Sequence, residues 1–156
     1  MSKYIVSACL LGNNCKYNGG NNKNEKLINF LKDKECILVC PEVSGGLATP
    51  RDPSEIISIS PLKVMNIKGR DVTSNFINGA GIDLDKIKNE DIVCAILKEK
   101  SPSCGVHYRY DGTFSSKLIE GSGLFTYMLK EKGIKVYSED TFIKEVVEND
   151  SIKEFM

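Results

Sequence analysis

The sequence predicts one α/β domain over residues 1–156, built on a mainly parallel sheet flanked by helices. Short apolar runs alternate with segments of helical periodicity, and 156 residues suit a single core. "KYIVSA" reads as the first strand. "NEKLINFLKD" follows, with Leu27, Phe30 and Leu31 at helical spacing. "CILVC", "DIVCAIL" and "IKVYS" supply three further strands, and "GLFTYMLKEKG" reads as a helix closed by Gly133 with Lys130 and Lys132 in its last turn. The segment from Thr141 onward reads as a terminal helix. Strands separated by helices imply right-handed βαβ crossovers.

Charge excludes some partners. The 21 Lys and Arg balance 21 Asp and Glu, so no net field draws the chain to a nucleic-acid backbone or an anionic membrane. Zero net charge weighs against RNA but leaves room for a local basic patch around Lys16, Arg51 and Arg109. No apolar stretch approaches the roughly 18 residues of a membrane span, and "MSKYIVSACLLG" reads as a strand rather than a signal peptide. The expectation is a cytoplasmic protein with reduced thiols.

Six cysteines then need an account. Cys36 and Cys94 lie in or beside apolar runs and read as small buried hydrophobes. Cys9, Cys15, Cys40 and Cys104 each stand beside a turn signal, and no CxxC pair exists, which argues against a zinc ribbon or a redox dithiol. In a parallel sheet, loops converge at the carboxyl ends of the strands. Cys9, Cys40 and Cys104 all fall at or just after such ends, so topology gathers them into a metal-site constellation. Three thiolates suit either zinc completed by another ligand, with His107 the only histidine, or an iron–sulfur cube with one iron open to a soft substrate atom. Cys15, in the Asn/Gly-rich loop, is a fourth ligand, a spare thiol or a surface residue.

Several motifs in order, "VSACLLG", "VCPEVSGGLATPRDPSEI", "GRDVT", "AILKEKSPSCG" and "YDGTFSSKLIEGSG", resemble the thiouracil desulfidase family of single-domain iron–sulfur proteins, from about Tyr4 to Ser138. The resemblance implies a Rossmann-like fold and a 4Fe-4S cluster held by Cys9, Cys40 and Cys104. It further implies an enzyme that removes sulfur from a thiolated pyrimidine, 2- or 4-thiouracil or its nucleotide, giving uracil and sulfide without net redox change. Glu42 then corresponds to the base that activates water. Ser101 and Ser103 are candidate hydrogen-bonding partners of substrate or water, with Ser101 preferred. Iron–sulfur assembly machinery is the implied protein partner. The Cys15 position is often valine in the family, so the resemblance does not assign its thiol to the cluster. Two other classes remain: an iron–sulfur or thiol sensor, in which Glu42 and Ser101 need not face the metal, and a zinc hydrolase using Cys9, Cys40 and Cys104.

Smaller features carry two readings each. Gly45 and Gly46 permit close approach to a ligand or a tight turn. Arg51 suits a phosphate or carbonyl clamp, or a pair with Glu55 or Asp52. Gly121 and Gly123 at a helix start can expose N–H groups to an anion. His107 reads as a surface or packing residue, with a proton relay the alternative. The segment "AGIDLDKIKN", with Gly79 and Gly81, predicts a short or broken crossover helix where the family has a continuous one.

Overall fold

The computed structural model describes residues 2–149. Its centre is a four-stranded sheet of β1 (Lys3–Ser7), β2 (Glu35–Val39), β5 (Ile92–Leu97) and β8 (Val136–Ser138), in the order β2-β1-β5-β8. Every pairing in it is parallel. These are the four apolar runs expected to be strands. Alternation along them divides the core. Ile5, Val39, Ala95 and Leu97 face α3 (Thr73–Ile87) and α4 (Leu124–Glu131), burying Ala80, Ile87, Phe125 and Leu129. Val6, Cys94 and Ile96 face the other way, against Leu27 and Leu31 of α1 (Glu25–Leu31) and Phe142 of α5 (Glu139–Phe142). Tyr4, Phe30 and Tyr137 contact Phe142 there edge-on, with Phe30 centred 5.3 Å from it. Cys94 lies in this core and Cys36 packs against it, as expected for structural thiols.

Beyond α5 the chain continues in a π-helical turn, Ile143–Val147, and the rest of the expected terminal helix extends past the described residues. Among the described residues no helix is long and apolar enough to cross a membrane.

The crossover helix is not broken. α3 runs through 15 residues, and its Gly79 has a packing role. A Cβ at Gly79 would collide with the carbonyl of Pro41, and one at Gly45 with the carbonyl of Asn75. The two glycines thus let α3 lie directly against the short helix α2 (Pro41–Ser44). Glycine's propensity cost, about 1 kcal/mol in a helix interior, is outweighed by a contact that alanine would forbid. Gly45 serves the same helix contact, and Gly46 takes a left-handed φ of 90° at the turn that ends α2.

Two antiparallel hairpins absent from the sequence reading stand outside the sheet: β3 (Ser54–Ile59) with β4 (Leu62–Asn66), and β6 (Tyr108–Tyr110) with β7 (Leu118–Glu120). Glu55 of β3 accepts the backbone N–H groups of Gly112 at 2.9 Å and Phe114 at 3.2 Å. The two hairpins are thereby tied together over the carboxyl edge of the sheet.

Candidate functional site

Strand ends and hairpins together enclose a cavity of about 480 Å³. Cys9, Cys15, Cys40, Cys104, Glu42 and Ser101 are all on its wall. Cys9 sits in the 3-10 turn Ala8–Leu11 that leaves β1, Cys40 is the N-cap of α2 directly after β2, and Cys104 follows β5 in the turn "SPSCG". Cys36 and Cys94 are on strands and do not line it. The opening lies where β1 and β5 connect in opposite directions, the switch point at which α/β sheets bind ligands.

The thiols are set in distinct environments. The Cys15 side chain hydrogen-bonds the sulfurs of both Cys9 and Cys40. That bond, opposed by burial and helped by Asn22 Nδ2 at 3.4 Å, lowers the Cys9 thiol to about 7. The same bond to Cys15, again against burial, lowers Cys40 with help from the Val43 backbone N–H. Cys15 itself is raised, because it carries the shared proton next to two other thiols. Burial raises Cys104 far above the ordinary thiol range, with a hydrogen bond from Ser7 acting against it. Four thiols on one cavity wall form a soft donor set. Among the described residues, no three His, Cys, Asp or Glu side chains are grouped as around a single metal ion.

Glu42 lies two residues after Cys40, in the first turn of α2. Its Oε1 pairs with Arg51 Nε at 3.2 Å, both side chains being largely enclosed at 14% and 8% exposure. Arg51 also donates Nη1 to Thr49 Oγ1 at 3.0 Å and Nη2 to the Cys15 carbonyl at 3.0 Å. The expected pairing of Arg51 with Glu55 or Asp52 does not occur: Glu55 ties the hairpins, and Asp52 meets Lys68 at 3.7 Å. Glu42 Oε2 accepts from Ser103 Oγ at 3.2 Å, and Ser103 Oγ is 3.0 Å from Ser101 Oγ. Ser101 Oγ accepts the N–H groups of Ser103 at 3.1 Å and Cys104 at 3.0 Å, so its own proton points to Ser103. The result is a directed line, Ser101 to Ser103 to Glu42. The preferred serine, Ser101, holds the turn, while Ser103 touches the carboxylate.

Glu99 shapes the loop from the opposite end, a role the sequence reading missed. Its Oε1 accepts the N–H groups of Val106, His107 and Tyr108 at 2.7–3.1 Å, and Oε2 meets His107 Nδ1 at 2.7 Å. His107 thus braces the loop and does not line the cavity. The anion site suggested by Gly121 and Gly123 is closed. Leu124 and Phe125, at the start of α4, give their N–H groups to the carbonyls of Pro102 at 3.0 Å and Ser103 at 2.9 Å. Gly123 permits this seat, since a Cβ there would lie 2.6 Å from the Ser103 carbonyl oxygen. Three-residue acceptor motifs such as that of Glu99 leave no periodic trace, which is why sequence patterning misses them.

A parallel α/β protein with four thiols and a hydrogen-bonded carboxylate at its switch point belongs to the class of α/β proteins that bind their ligands at the carboxyl ends of the strands. Residues 4–141 match the 2-thiouracil desulfurase family, and the chain belongs to that family. It is 41% identical over 143 residues to the uncharacterized protein YbbK of Bacillus subtilis (strain 168), covering 87% of this chain and 95% of that one. The fold superposes with a TM-score of 0.85 and 38% identity on a solved structure of the 4Fe-4S-dependent thiouracil desulfidase TudS, covering 97% of this chain and 99% of the other.

Proposed function

We propose that this protein is a 4Fe-4S-dependent desulfidase that converts a thiolated pyrimidine to uracil and sulfide without an external electron donor. The observation that carries the reading is the shared cavity: Cys9, Cys40 and Cys104 line it together with Glu42, whose carboxylate reaches the Cys104 loop through Ser103. Family membership and the likeness to TudS support it. Cys9, Cys40 and Cys104 would hold the cluster. When bound, that group supplies a Lewis-acidic iron with affinity for a thiocarbonyl sulfur.

The remaining work falls to the chain's own groups. Glu42 takes the proton of a water directed at the ring carbon, and Arg51 and Ser103 fix the carboxylate on both oxygens. Ser103 passes hydrogen-bonding direction on from Ser101, and the pair orients water or the ring. The sensor alternative does not account for a carboxylate held in this way beside the thiols.

Anaerobic reconstitution tests the reading. The loaded protein should hold about four irons per chain and release sulfide stoichiometrically with uracil from thiouracil or thiouridine monophosphate. A fully loaded protein that releases no sulfide from any thiolated pyrimidine overturns it.

A further inference from the structure

Cys15 is the one cavity thiol that neither the family resemblance nor the reading above employs. It is not a surface residue. Its side chain lines the cavity with those of Cys9 and Cys40, and its carbonyl is gripped by Arg51 Nη2 at 3.0 Å and by the Cys40 thiol at 3.8 Å. Those contacts seat its backbone at the site independently of the side chain. The four thiols nevertheless differ in support. Cys9 is fixed in the turn after β1, Cys40 caps α2, and Cys104 is buried with its loop held by Glu99 and α4. Cys15 alone is carried by the Asn/Gly-rich loop between Gly12 and Asn24, which is closed on itself by Lys16 N–H to the Gly20 carbonyl at 3.1 Å and tied at its end by Asn22 and Asn24 N–H to the carbonyls of Cys9 and Leu10.

We propose that Cys15 is a fourth, exchangeable cluster ligand, which closes the iron left open by Cys9, Cys40 and Cys104 until a substrate sulfur displaces it. The proposal rests on the cluster reading above. Four thiolates are the ordinary ligand set of a 4Fe-4S cluster, and the thiol carried by the Asn/Gly-rich loop, rather than by a strand-end turn or a helix cap, is the one able to leave. In the exchange the iron–Cys15 sulfur bond breaks as the iron–substrate sulfur bond forms. Cys15 departs with its electron pair and takes a proton from water in the cavity, so no electron is transferred. An iron closed in this way is shielded from water and oxidants between turnovers, and the Cys15 carbonyl remains on Arg51 to guide the thiol back.

The test uses the anaerobically loaded wild-type protein. N-ethylmaleimide labelling, mapped to Cys15 by mass spectrometry, should be slow at rest and several-fold faster once saturating thiouracil is present. In parallel, mild ferricyanide treatment of loaded Cys15→Ser and Cys15→Ala should remove one iron and give the electron paramagnetic resonance signal of a three-iron cluster, well above that of wild type. Serine retains a hydrogen-bond donor, so loss in both variants identifies a ligand rather than a donor. Equal labelling with and without thiouracil, or equal three-iron signals in wild type and variants, overturns the proposal while leaving the cluster reading intact. A wild-type chain that takes up no cluster overturns both. Should the variants not fold, the wild-type labelling decides alone.

Discussion

Ser103 donates its hydroxyl to Glu42 Oε2 at 3.2 Å, linking residues 61 positions apart in sequence. The bond joins the turn after β5 to the helix after β2, so the carboxylate and the Cys104 thiol are held by one polar connection. Its geometry makes Glu42 an acceptor on both oxygens, with Arg51 on the other side.

Glu42→Gln keeps the size of that side chain and removes its basicity. Sulfide release by the loaded variant is expected to fall by a factor on the order of 10², the usual contribution of a positioned proton-transfer group. The cluster absorbance should be unchanged. Turnover at the wild-type rate would remove Glu42 from the role of base.

Ser101 and Ser103 act in series, so their substitutions should not be additive. Ser103→Ala and Ser101→Ala are each expected to lower kcat, and the double variant to lower it little further than the worse single one. Steady-state kinetics on the three proteins checks this. Independent, multiplying effects would show that the two hydroxyls serve different groups.

Cys104→Ser should prevent retention of iron, whereas Cys94→Ser, on the far face of the sheet, should retain it. Iron and acid-labile sulfide assays after anaerobic loading give the answer. Equal iron content in the two variants would break the ligand assignment.

Gly79→Ala places a methyl group against the Pro41 carbonyl. The expected cost is about 1–3 kcal/mol, as for other overpacked contacts. It should appear as a lower midpoint of thermal unfolding, accompanied by weaker iron retention because α2 carries Cys40 at its start. An unchanged midpoint would mean that α2 and α3 separate freely.

Glu99→Gln should destabilise the fold in a pH-dependent way. Burial pushes the Glu99 carboxyl up, but hydrogen bonds from Tyr108, His107 and Val106 together bring it below the ordinary range. A folded value below the unfolded one, roughly 4.3, stabilises the protein above that pH and ceases to do so as pH falls through the folded value. The urea midpoints of wild type and variant should therefore differ most near neutrality and converge in acid. A difference that persists undiminished below about pH 3 would mean that Glu99 acts by shape alone.

The sheet was legible because its four strands are buried and announce themselves as apolar runs. The hairpins were not. β3 turns Ile57 and Ile59 outward at 40% and 59% exposure, and its register slips between Ile56 and Ser58, so no clean alternation marks it. The gathering of Cys9, Cys40 and Cys104 followed from strand ends alone. Of the two readings of Arg51, the pairing named only its sequence neighbours Asp52 and Glu55, whereas its partner Glu42 is delivered by the turn between β2 and α2. Gly79 and Gly81 were read as breakers from propensity, which is blind to the Pro41 carbonyl that faces Gly79 across the interface; Gly81 faces open space.

A helix of four residues, such as the one bearing Glu42, is closed by only a few backbone bonds, among them Ser44 and Gly45 N–H to the carbonyls of Cys40 and Pro41 at 2.9 Å, too few to hold such a helix alone. Its firmness is inherited from the long helix on which the paired glycines let it rest, with Ser44 Oγ bonded to the buried Asp83 at 2.7 Å as a pin. The aim of the carboxylate is therefore set from behind, by a surface that never meets the substrate. Damage to that backing would misdirect the chemistry while every group around the reacting atoms remained in place.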